Sequence, residues 1–170
     1  MNFFARVFGV FVVAGLLASG AYAQALKPFE PLNPAKAQAL PTSELTISSG
    51  KNTFQFTVEL ATTPEQRDIG LMHRARLESK HGMLFDFQNE KVVRFWMRNT
   101  FIPLDMLFIH ADGRIAAIIK NARPHDETPV GPSEPVQAVL EISGGAADLL
   151  GLKAGDRVSH PIFKAAPEKR

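Results

Sequence analysis

The length and composition of the chain predict one globular domain with short appendages. The chain has 170 residues, and 45% of them are hydrophobic, which suits one ordinary core but not two domains. It has no cysteine, so disulfides, thiolate metal sites and a cysteine nucleophile are excluded. The 19 basic and 17 acidic residues nearly balance, and the basic ones are scattered except at the C-terminus. Neither a nucleic-acid-binding face nor a polybasic membrane patch is therefore expected.

The first 23 residues have the organisation of an export signal. A short positive start ending at Arg6 precedes an apolar run at 7–17, and positions 21–23 have the small-x-small pattern that a signal peptidase cuts. The run is shorter than the ~20 apolar residues that span a bilayer, which favours cleavage over an uncleaved anchor, the alternative. We predict a periplasmic or secreted mature chain that begins at Gln24 and has no membrane span.

Three further segments follow the signal in the predicted organisation. Residues 24–44 contain four prolines among alanines and glutamines, a composition that favours an extended linker. Residues 45–163 form the single globular domain, and residues 164–170 form a C-terminal tail.

Eight short segments are predicted as strands from alternating or continuous apolar residues bounded by turn signals. They are residues 45–47, 53–60, 83–87, 92–97, 104–109, 115–119, 136–142 and 157–159. Turns at 48–50 and at Asp112-Gly113 predict two hairpins, since glycine and aspartate tolerate positive φ. A third turn at 88–91 would pair 83–87 with 92–97.

Two short helices and one long loop complete the prediction. Thr63 and Gln66 form a capping box around Pro64, and the helix is expected to reach Met72. It should bury Ile69 and either Leu71 or Met72. The second helix covers about 146–150 and closes at Gly151. Residues 121–135 hold four prolines and form the longest interior loop, a kind of segment that is often functional or mobile.

Strands outnumber helices and show no regular alternation with them, which disfavours a doubly wound fold. We predict an α+β domain that is predominantly β: a small curved antiparallel sheet or partial barrel with two short helices.

The strongest candidate for a functional site is the stretch 94–105, which contains the only tryptophan. A strand period of two places Trp96 with Arg94 and Arg98 on the face opposite Phe95 and Met97. Two interpretations of that face stay open. In the first, the guanidinium groups stack on the indole, an interaction that contributes about 0.5–1 kcal/mol when it is exposed. In the second, a carbohydrate or anionic ligand rests on the indole plane.

Asp105 begins an apolar strand, where an unpaired carboxylate would be costly to bury. Candidate partners are Arg74, Arg94, Arg98 and the amides of the turn at 99–100. Asp105 either braces that turn, the favoured interpretation, or acts as a general acid/base or as a polar anchor for a ligand.

Metal, cofactor and nucleophile chemistry find little support in the sequence. The five histidines lack ligand spacing, and the methionines at 72, 83, 97 and 106 lie in apolar elements, which indicates core packing. There is no Gly-x-Ser-x-Gly motif. We predict no metal and no cofactor, and we assign no catalytic residue.

Several motifs occur in an order and spacing that resemble one known family. They are Gly70-Leu71-Met72 with Arg74, Gly82-Met83-Leu84-Phe85, Phe95-Trp96-Met97-Arg98-Asn99-Thr100, Ile102-Pro103-Leu104-Asp105, Val139-Leu140-Glu141-Ile142 with Gly144 or Gly145, and Gly155-Asp156-Arg157-Val158. The resemblance covers residues 54–158 and is to the prokaryotic family called domain of unknown function 192. It implies a compact, largely β domain that is often exported, and it brings no function. Many members have lysine where Arg98 stands, and some have cysteines in the proline-rich loop, so a cysteine-based role does not transfer.

Three functional hypotheses follow. The first is an envelope module that binds a small polar or carbohydrate ligand, with a site formed by Trp96, Arg98, Asn99, Thr100 and Asp105 and bordered by Arg74 and Arg94. The second is an acid/base hydrolase of an envelope polymer or sugar acting through Asp105, which a second carboxylate nearby, Glu141 or Asp86, would favour. The third is a structural role for the whole motif. The oligomeric state does not follow from the sequence.

Overall fold

A computed structural model describes residues 30–163 of the chain. The predicted signal segment at 1–23, the start of the predicted linker at 24–29 and the predicted tail at 164–170 lie outside the described residues. None of the helices in the described part is long and apolar enough to cross a membrane.

Within residues 30–163 the chain forms seven strands, two short α-helices and one 3₁₀ turn at Pro34–Lys36. In chain order the main elements are β1 (Thr42–Ser49), β2 (Asn52–Ala61), α1 (Pro64–Ile69), β3 (His81–Lys91), β4 (Leu104–Ile109), β5 (Ile115–Ala122), β6 (Val136–Ser143), α2 (Ala146–Leu149) and β7 (Arg157–Ser159). The capping box of Thr63 and Gln66 is present at the start of α1, as predicted.

The strands form one sheet in the order β5-β4-β6-β3-β2-β1-β7. Neighbouring strands are antiparallel except β2 and β3, which are parallel. The sheet curls until its two edges meet, where Arg114 bridges Arg157 and the Val158 N–H donates to the Gly113 carbonyl. A Cβ at Gly113 would lie 2.3 Å from the carbonyl oxygen of Val158, so only glycine permits this close approach of the two edges. The predicted α+β fold, predominantly β and a partial barrel, is confirmed.

Alternation along the strands divides the buried residues into two cores. Leu107 and Ile109 of β4 belong to a core inside the curl, to which all seven strands contribute. Met106 and Phe108 belong to a second core on the outer face of the central strands. The outer core is covered by residues around α1 and by the segment 92–103, and it is where the candidate site lies.

The predicted strand at 92–97 is wrong. β3 runs on to Lys91, and the only pairing in residues 92–103 is an isolated bridge between Phe95 and Val130. The reason is tertiary, because β2 and β6 already pair with the two sides of β3 over Gly82–Phe85, which includes residues 83–85 of the predicted pairing. The two segments nevertheless come into contact, with the Phe85 and Phe95 ring centroids 5.0 Å apart.

Helix α1 ends earlier than predicted. It stops at Ile69, three residues before Met72, because Gly70 has φ 50° and ψ −134°, values that no helix continues. Ile69 is 39% exposed, contrary to prediction, and Leu71 is the buried residue.

The described part of the predicted linker lies against the domain. The Gln38 side chain donates to the Gln66 and Gly70 carbonyls at 2.8 and 3.0 Å, which satisfies acceptors at the end of α1. β1 begins at Thr42, three residues inside the predicted linker.

Candidate functional site

Asp105 is a structural carboxylate with no exposed surface. Its oxygens accept backbone hydrogen bonds from Asn121, Gly145 and Ala147 at 2.6, 3.1 and 2.7 Å. These amides belong to the end of β5 and the start of α2, so Asp105 braces α2 against the sheet. Within the part of the chain that the structure describes, it bonds neither to the turn at 99–100 nor to any of the predicted arginine partners.

Arg74 and Arg94 are tied to other parts of the domain. Arg74 forms an ion pair with Glu59 at 2.7 Å and donates to the Gln38 carbonyl, in a cleft beside the parallel strands β2 and β3. Arg94 donates to the carbonyls of Val93 and Pro132 and lines a separate groove beside α1. The structure therefore does not bring these two predicted site residues to Trp96.

Asn99 and Thr100 shape the segment that carries Trp96. Asn99 has φ 51°, and its carbonyl accepts the His73 N–H at 2.9 Å. Buried Thr100 donates its N–H to Met97 and its hydroxyl to the Arg98 carbonyl. The turn at 98–99 thus fixes the direction in which the two neighbouring side chains leave the backbone.

Trp96, Arg98 and Thr100 do come together, in a surface recess that we call the Trp96–Glu141 recess. The recess has about 270 Å³ of free space, part of which is open to solvent. Trp96 is 49% exposed at its edge. The other lining residues come from α1 and the turn after it, from the outer core and from β6: Arg67, Asp68, Ile69, Gly70, Leu71, Met72, Phe85, Phe95 and Glu141.

Glu141 is the most unusual group in this recess. It lies on central strand β6, is 4% exposed, and pairs in register with Met83 and Met106 on its two sides. Burial raises the pKa of its carboxyl to about 8. Among residues 30–163, none forms a hydrogen bond or ion pair with that carboxyl. The side chain lines the recess, where its carboxyl group can meet a ligand.

Glu141 and Asp105 do not form a catalytic pair. Asp105 pairs with Ile142, the neighbour of Glu141, so alternation directs the two carboxylates to opposite faces of the sheet. Asp86 pairs with Ala138, four residues from Ile142 along β6, which is about 13 Å at the rise of a strand. Neither predicted second carboxylate therefore lies beside Asp105 at the spacing that glycoside hydrolases use.

Gly70 gives the recess its depth. It lies in the turn after α1 at positive φ, and an added Cβ would lie 3.2 Å from the Phe85 ring. Only a residue without a side chain lets the turn approach the recess floor so closely.

The charges around the recess are mixed. The Arg67 guanidinium donates to the Thr62 and Asp86 carbonyls, so it is engaged away from the opening. In the described part of the chain the Arg98 guanidinium has no hydrogen-bond partner, although it contributes slightly to lowering the pKa of Glu30, after the larger effect of Lys36. Asp68 is exposed at the edge. Arg98 is thus the cation available to a ligand.

The sequence prediction found only part of this recess. It identified Trp96, Arg98 and Thr100, and it considered Glu141 only as a partner of Asp105. A usable signal was present, because Glu141 is the one charged residue in the apolar run at 136–142. An acid in a central strand needs either partners or a function.

Comparison with known proteins places the chain in a family. Residues 45–160 match the domain of unknown function 192 family, described as Uncharacterized ACR. No curated protein matches the sequence. A solved structure from Sinorhizobium meliloti 1021, suggested to be a transcription regulator, is similar at 42% identity with a TM-score of 0.72, covering 74% of this chain and 98% of its own. A protein of unknown function from Novosphingobium aromaticivorans DSM 12444 is similar at 39% identity and a TM-score of 0.69, covering 77% and 99%.

The family match extends over more than half of the chain and agrees with the order of its motifs. The chain belongs to the domain of unknown function 192 family.

Proposed function

We propose that the protein is an exported module of the cell envelope that binds a small polar ligand in the Trp96–Glu141 recess. The observation that carries the proposal is the Glu141 carboxyl, which has almost no exposed surface, has no hydrogen-bond partner among the described residues and lines an open recess. A hydrogen bond to a charged group contributes about 1.5–3 kcal/mol net. A ligand that donates to Glu141 can therefore gain affinity from this group, which supports the recess as a site for binding.

The neighbours of Glu141 support the same function. Trp96 presents an aromatic surface that is half exposed, a common feature of sites where a ligand body rests on a ring. The recess is small, so it suits a small polar group such as an ammonium or a hydroxyl. A larger ligand, a sugar included, would place one polar group inside and its body over Trp96.

Hydrolysis through Asp105 has no support from the geometry, since that carboxylate is fully buried and accepts three backbone amides. Transcription regulation, suggested for the Sinorhizobium meliloti protein, would require a basic nucleic-acid-binding face, whereas the basic residues of this chain are scattered.

Export is proposed from the sequence of residues 1–23. Cell fractionation of the full-length chain should place the protein in the envelope or the medium, and mass spectrometry should give a mature N-terminus at Gln24. A lysine substitution at Ala23 should block cleavage. A full-length cytoplasmic product would contradict export without bearing on the recess.

Ligand binding is tested by fluorescence, because Trp96 is the only tryptophan in the chain. A library of small polar metabolites and sugars should contain compounds that change Trp96 emission and raise the melting temperature of the wild type. Both responses should vanish in Glu141→Gln and persist in Glu127→Gln, the same substitution at an exposed loop position. A library without any Glu141-dependent ligand would overturn the proposal.

A further inference from the structure

The recess has a chemistry specific enough to indicate a class of ligand. We propose that the ligand is an amino-acid-like zwitterion, whose ammonium group binds Glu141 inside the recess and whose carboxylate pairs with Arg98 at its edge. This inference rests on the proposed function and adds the identity of the ligand to it.

The inner group of the ligand must satisfy Glu141. Phe85 and Leu71 line the recess together with Glu141, and no described residue donates to the carboxyl. An ammonium supplies three donors in a volume close to that of water, together with the charge that stabilises an ionised carboxylate. Trp96, the aromatic side chain that binds cations best, also lines the recess.

The outer group of the ligand must match Arg98. Its guanidinium lines the recess and makes no hydrogen bond within residues 30–163. A planar guanidinium binds a carboxylate through two parallel hydrogen bonds, which fixes the ligand's orientation as well as its charge.

The overall charge of the recess favours a ligand that carries both signs. The charged residues that line the recess with Glu141 are Arg67 and Asp68 from α1 and Arg98 from the segment 92–103, while β3 and β4 pair uncharged Met83 and Met106 with it. With Glu141 ionised, two positive and two negative side chains surround the space. A zwitterion preserves that balance, whereas a simple cation or anion leaves one group unmatched.

Binding of an ammonium must displace the proton of Glu141. Because the pKa of the free carboxyl is about 8, the group is mostly protonated at pH 6 and half ionised at pH 8. A ligand that requires the ionised form therefore binds more tightly as the pH rises, by about 50-fold between pH 6 and pH 8. A neutral hydroxyl ligand would show no such dependence.

Isothermal titration calorimetry tests the inference on the mature protein. The ligands are the common L- and D-amino acids, with N-acetylalanine to block the ammonium and alaninamide to neutralise the carboxylate. At least one amino acid should bind, N-acetylalanine should bind at least 100-fold more weakly than alanine, and alaninamide about 10-fold more weakly. Titrations in phosphate and in Tris at pH 7 should show the release of nearly one proton.

Two variants assign the groups. Arg98→Gln should bind alanine and alaninamide equally, whereas Arg76→Gln, at a side chain 85% exposed elsewhere, should keep the wild-type preference. Glu141→Gln should lose binding at both pH values, and the analogue series on the wild type decides the question if that variant unfolds. Equal binding of alanine and N-acetylalanine, or binding independent of pH, would overturn the inference.

The two proposals fail differently. If no amino acid binds while the metabolite library yields another Glu141-dependent ligand, the zwitterion inference is wrong and the binding function stands. If neither set contains a Glu141-dependent ligand, both are wrong.

Discussion

Asp105 and Glu141 lie on neighbouring strands, and the difference between their surroundings separates structure from function in this domain. Both carboxyls are buried, yet Asp105 accepts three backbone amides on the inner face, whereas Glu141 has no partner among the described residues on the outer face. Burial alone therefore does not identify a functional acid. The informative property is burial combined with missing partners and an adjacent opening.

The largest effect on stability is expected at Asp105, whose carboxylate accepts three backbone hydrogen bonds. Asp105→Ala leaves the amides of Asn121, Gly145 and Ala147 without their acceptor, which should lower the free energy of unfolding by about 4 kcal/mol. Urea denaturation followed by circular dichroism measures the change. Asp105→Asn, which retains one acceptor oxygen, should lose about half as much. A loss below about 1 kcal/mol for the alanine variant would contradict a bracing role.

The next effect concerns Glu141 and depends on pH. Burial raises its pKa in the folded protein from the ordinary value of 4.5 to about 8, so its contribution to stability is present below pH 4.5 and is lost as the pH rises through 8. Between pH 5 and pH 8 the wild type should lose on the order of 3 kcal/mol relative to Glu141→Gln.

Urea denaturation of both proteins at several pH values checks this difference. Burial lowers the pKa of His160, which makes stability rise with pH over the range below 6.5, but that effect is common to both proteins and cancels. If the free energies of unfolding of the wild type and Glu141→Gln changed in parallel with pH, burial would not raise the pKa of Glu141.

A smaller effect is expected at Gly70, where recess depth and backbone strain coincide. Gly70→Ala should lower the free energy of unfolding by about 2 kcal/mol, since φ is positive and the new methyl crowds Phe85. It should also remove ligand binding, measured by calorimetry. Gly151→Ala is the matched control, because φ there is +67° with no atom within 4 Å, and it should cost about 1 kcal/mol and leave binding intact. Equal effects of both on binding would exclude a specific role for the Gly70 turn.

The smallest effect on stability is expected at Trp96. Because half of its surface is already exposed, Trp96→Ala should change the free energy of unfolding by less than about 1 kcal/mol, while calorimetry should show loss of the ligand. Trp96→Phe should restore part of the affinity by keeping an aromatic face. A Trp96→Ala variant that binds normally would restrict the site to Glu141 and Arg98.

Local signals in the sequence were sufficient for much of the fold. The alternation in β2, the capping box at Thr63, the Asp112-Gly113 turn and the left-handed Gly151 each depend on residues only a few positions apart, and each appears in the structure. The order of short strands and turns predicted the α+β partial barrel for the same reason. Along 136–142, a mostly apolar run also placed β6 correctly.

Only the tertiary structure decided which residues meet. The pattern at 92–97 is that of a strand, but β2 and β6 already flank β3 in the sheet. The segment therefore forms an irregular cover over the outer core, and this cover carries Trp96. Whether a buried carboxylate finds hydrogen-bond donors depends on residues distant in sequence. The amides of Gly145 and Ala147 donate to Asp105 from 40 and 42 positions away, whereas no described residue donates to Glu141. Sequence alone determined that both acids lie in apolar strands. The closure of the sheet and the turn after α1 determined that Asp105 is a brace and that Glu141 lines an open recess. The reason is that hydrogen-bond partners and solvent access depend on how the chain packs and not on the spacing of residues in the sequence.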